Sequence, residues 1–95
     1  MKDFLPLGTI VTLKGGSKRV MIVGRLQQET NNQMIYDYSA VCWPEGMIDS
    51  KQVYLFNHED LAMILFIGYQ DQEEFEVRAS LERECSKLNR QSTSL

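Results

Sequence analysis

An α+β fold is predicted for this 95-residue chain by three features of its sequence. There is a β-hairpin signature near the N-terminus, a series of short strand-like runs as far as Tyr69, and one amphipathic helix after Asp71. The expected architecture is a strongly bent antiparallel β-sheet or an SH3-like small barrel, with a C-terminal α-helix. A single domain is expected over 1–95: β-rich over 5–69, helical over about 71–90, and a flexible tail over 91–95.

The hairpin rests on two β-branched runs, Thr9-Ile10-Val11-Thr12-Leu13 and Arg19-Val20-Met21-Ile22-Val23. They are joined by Lys14-Gly15-Gly16-Ser17-Lys18, whose glycines permit the positive φ of a tight turn. Pro6 and Gly8 form an opening turn, so the first strand starts near Thr9. The second strand runs past Gly24 to Leu26 or Gln27, and a glycine inside a strand predicts a bulge or sharp bend. Gln27 to Gln33 is polar, with Thr30-Asn31-Asn32 as the loop tip.

Met34 to Trp43 is the third strand. Neither of its alternating faces is purely apolar, which predicts a position near an edge or between two packed surfaces. Trp43-Pro44-Glu45-Gly46 ends it, since proline cannot extend a ladder. Asp49 is placed to accept backbone hydrogen bonds in the following connector, and Gln52 to Phe56 is a short extended piece. Asn57-His58-Glu59-Asp60 reads as a helix start with Asn57 as N-cap, giving one turn over His58–Ala62. Met63 to Tyr69 is so apolar and β-branched that a buried strand is expected.

Asp71 and Glu74 fit a capping box for the last element. Helical spacing puts Val77, Leu81, Cys85 and Leu88 on one stripe, with Phe75 and Ala79 on its flank. Acidic residues crowd the start of this helix, and Arg83, Lys87 and Arg90 lie towards its end, as the helix dipole favours.

Composition narrows the function. A net charge of −3 argues against a general nucleic-acid binder, which needs a basic face. Cys42 and Cys85 have no CxxC partner, so neither a zinc site nor a redox motif is supported, and two buried, reduced thiols are expected. Asp3 and Pro6 interrupt the N-terminal segment, which therefore does not read as a signal peptide. The apolar stretch from Leu61 to Gly68 is too short to span a bilayer, so the expectation is a cytoplasmic protein without membrane insertion.

No catalytic, cofactor-binding or metal-ligating residue is predicted. His58 beside Glu59 and Asp60 lacks converging ligands, and the segment is read as a helix cap. Lys14, Lys18, Arg19 and Arg25 with Tyr36 and Tyr38 make a weak basic–aromatic strip, which keeps a nucleic-acid-binding small barrel as an alternative. A protein partner is the favoured expectation, and a homo-oligomer is compatible with the sequence. The residues assigned to the partner surface are Tyr36, Tyr38 and Trp43 on the third strand, Met47 and Ile48 in the turn, and Leu81 on the helix.

Several segments together carry a resemblance. They are Leu5-Pro6-Leu7-Gly8-Thr9-Ile10-Val11, Leu13-Lys14-Gly15-Gly16, Lys18 to Arg25, Tyr36-Asp37-Tyr38, Trp43-Pro44-Glu45-Gly46, Phe56 to Asp60 and Phe66-Ile67-Gly68-Tyr69. In order and content these resemble a family of short Gram-positive bacterial proteins known as a domain of unknown function, whose members are often encoded beside type VII secretion genes and LXG-type toxins. The likeness covers roughly residues 5 to 75. It implies a non-enzymatic adaptor, targeting factor or chaperone for a secreted effector or secretion component, with an immunity protein for a neighbouring toxin as the alternative. It assigns no chemical role to any residue.

Overall fold

The computed structural model describes residues 3–29, 31 and 33–93, with side chains as far as Lys87. Five strands form one antiparallel sheet: β1 (Ile10–Leu13), β2 (Val20–Gln28), β3 (Ile35–Cys42), β4 (Tyr54–Phe56) and β5 (Leu61–Phe66). Their spatial order is β4-β3-β2-β1-β5, and the C-terminal helix α1 spans Gln72–Thr93. The sheet is open, with β4 and β5 at its two ends, rather than closed into a barrel.

The hairpin forms as expected, with Ile10 opposite Met21 and Val11 opposite Val20. Gly15 carries a φ of 83°, the left-handed conformation that an L side chain rarely adopts. The β2–β3 register shifts between Ile22 and Gly24, so the expected bulge is present. Just beyond it, Leu26 takes a φ of 54° while packing against the core. Together these irregularities bend β2. β3 is not an edge strand but lies between β2 and β4, and positions 37–41 are buried. It therefore serves two packed surfaces, although neither face is purely apolar: Asp37 and Ser39 are buried on one of them.

The core joins Phe4, Val11, Val20, Ile22, Tyr38, Ala40, Phe56 and Cys85. The N-terminal segment contributes more than an opening turn. Phe4 is buried and its ring meets Tyr38 edge-on, with centroids 5.9 Å apart. Of the two thiols, Cys85 is buried and Cys42 is only partly so; neither is in a disulfide.

Four expectations need correction. The turn after Asn57 is a single 3-10 turn, His58–Asp60, and β5 starts directly at Leu61. The buried strand expected over Met63–Tyr69 is instead the edge strand β5, Leu61–Phe66, largely exposed because among the described residues only β1 flanks it. On α1, Val77 and Phe75 face outward, and the inner face is built from Glu74, Arg78, Leu81 and Cys85. The polar half of that face is held by ion pairs, which apolar periodicity does not register. Finally, α1 continues to Thr93, through part of the expected tail; positions 94 and 95 lie outside the described residues. So do positions 30 and 32 of the expected loop tip.

Candidate partner-binding surface

The residues assigned to a partner surface separate once placed in the fold. Tyr38 is fully buried, so its assignment as a contact residue is withdrawn. Its ring stacks obliquely on Phe56 at 5.5 Å, and its hydroxyl accepts the Leu5 N–H at 3.0 Å. The same hydroxyl lies 2.8 Å from His58 Nδ1. Burial pushes the Tyr38 phenol up to about 12. Leu81 is half-buried against the core and belongs to the helix–sheet contact. Tyr36 is half-buried opposite Gln27.

Trp43, Met47 and Ile48 are exposed, together with Tyr54 on the edge strand β4. The segment that carries them is shaped locally. Gly46 has a φ of 79° and its N–H donates to the Cys42 carbonyl at 2.7 Å, while Asp49 Oδ1 accepts the Lys51 N–H at 3.0 Å. Lys18 Nζ bonds both carboxylate oxygens of Glu45 at 2.7 Å, and this hydrogen bond holds the Glu45 carboxyl below its ordinary range.

A larger apolar surface was missed in the sequence reading. On β5 and just after it, Met63, Ile64, Leu65, Phe66 and Ile67 are between 44% and 59% exposed, and Tyr69 is 81% exposed. Pairing with β1 assigns the faces. Ile64 and Leu61 lie opposite the core residue Val11 and the half-buried Leu13 that packs against the core, whereas Met63 and Phe66 lie opposite Thr12 and Ile10 on the other face. Register shifts at Ala62 and Leu65 bulge the strand. No charged residue occurs between Asp60 and Asp71. That gap in charge was a legible signal, but a doubly apolar strand reads equally well as a central strand.

The strand is fixed in place at both ends. The Lys14 N–H donates to the Asp60 carbonyl at 2.9 Å. At the other end, the Gly68 N–H donates to the buried Thr9 Oγ1 at 3.0 Å, and a Cβ at Gly68 would overlap the Leu7 carbonyl.

The polar groups near the core are engaged structurally. The His58 N–H donates to Asp37 Oδ2 at 2.8 Å, the Asp37 N–H to Asn57 Oδ1 at 3.1 Å, and the Asn57 N–H to Asp60 Oδ2 at 2.9 Å. The Asn-His-Glu-Asp segment thus ties the 3-10 turn to β3. The Arg25 side chain, from the proposed basic strip, is 7% exposed and bonds Glu74 Oε2 at 2.7 Å. Arg78 reaches the same oxygen at 3.1 Å. Burial pushes the Glu74 carboxyl up, but the two guanidinium groups outweigh it and hold the carboxyl below its ordinary range. Asp71 Oδ1 accepts the Glu74 N–H at 2.9 Å, so Asp71 caps α1 while the Glu74 side chain docks the helix on β2.

Among the described residues, no helix is long and apolar enough to cross a membrane, and no three His, Cys, Asp or Glu side chains gather in a metal-holding group. No curated protein and no solved structure matches the chain. A family model described as a domain of unknown function (DUF4176) matches residues 4–77, which takes in all five strands and the first turn of α1. The chain belongs to this family of domains of unknown function.

Proposed function

We propose that this protein is a non-enzymatic accessory protein that binds and escorts an LXG-type effector of type VII secretion in the cytoplasm. The observation that carries the reading is the exposed, uncharged run along β5, which offers apolar side chains on both faces of a sheet edge. Large contiguous apolar surfaces on small domains mark sites of protein association. The resemblance of the sequence to proteins encoded beside secretion and toxin genes supplies the class of partner. The nucleic-acid alternative is weakened by the burial of Arg25 and Tyr38, which removes two members of its basic–aromatic strip.

Co-expression of the chain with the effector encoded beside it tests the reading. The expected result is co-elution in size-exclusion chromatography, lost in a folded Met63→Lys/Phe66→Lys variant. An effector that elutes alone beside the wild-type chain overturns it.

A further inference from the structure

We draw no further inference here: the strongest candidate, the exposed apolar surface of the edge strand β5 around Met63 and Phe66, belongs to the site already described, and nothing in the structure shows what covers it.

Discussion

The Tyr38 hydroxyl on β3 and His58 Nδ1, 20 residues further along, lie 2.8 Å apart and fasten the 3-10 turn to the centre of the sheet. The same oxygen accepts the Leu5 N–H, so three separate segments meet at one atom. The Leu5 N–H donates to the Tyr38 oxygen while the same hydroxyl shares a hydrogen bond with His58 Nδ1, so it serves both neighbours. Tyr38→Phe therefore leaves a backbone donor and a ring nitrogen without this partner. The expected loss is about 1–3 kcal/mol, the cost of stranding buried polar groups. His58→Ala should cost about 1–2 kcal/mol. Denaturant titrations of the two single variants and the double should show less than additive losses, since both remove the same hydrogen bond. Additive losses would count against coupling at this atom.

Alkaline pH should act through the same side chain. The Tyr38 phenol is raised from 10.0 to about 12, so the folded state favours its neutral form. That contribution is fully present below pH 10 and is lost as pH rises through about 12. A two-unit difference corresponds to about 2–3 kcal/mol. The hydrogen bond with Cys42 also raises the exposed Tyr54 phenol, so tyrosinate absorbance should show late ionisation in which only the part that accompanies loss of structure belongs to Tyr38, and Tyr38→Phe should abolish that part.

Glu74 predicts an acid dependence of opposite sign. Its carboxyl is held below the ordinary value of 4.5 by Arg25 and Arg78. Its contribution is present above that value and lost as pH falls through the lower, folded-state one. Glu74→Ala leaves the Arg25 guanidinium buried without its carboxylate and should cost about 3 kcal/mol at neutral pH. Thermal unfolding followed across an acid series should show a shallower dependence in this variant than in the wild type. An unchanged profile would remove Glu74 from the acid response.

Gly68 is held by close approach. An alanine there would drive its Cβ into the Leu7 carbonyl, where backbone lies on both sides. Gly68→Ala should destabilise by at least about 2 kcal/mol, as forced backbone shifts in packed regions do. Gly16→Ala, whose Cβ has only the Leu13 carbonyl near it at 3.9 Å, is the control and should change stability by less than about 1 kcal/mol. Comparable losses in both would mean that the Gly68 crossing is not tight.

The sequence by itself determined most of the local structure. β-branched runs around Gly15 specified the hairpin, Gly24 specified the bulge, Asp71 specified the start of α1, and these are short-range effects of backbone conformation and capping. Tertiary structure decided which apolar residues are core. Tyr38 and Phe66 are both aromatic residues in strand-forming runs, yet one is fully buried and the other is 59% exposed. Neighbouring residues do not distinguish them, because burial depends on which strands flank each one: β2 and β4 enclose β3, while β5 has β1 alone. The inner face of α1 was hidden for a related reason. Glu74 and Arg78 read as solvent-facing charges until Arg25, 49 residues before Glu74, supplies the partner that makes their burial tolerable. Strand order and long-range charge pairing arise from contacts far apart in the chain, so residue-by-residue patterns carry little trace of them.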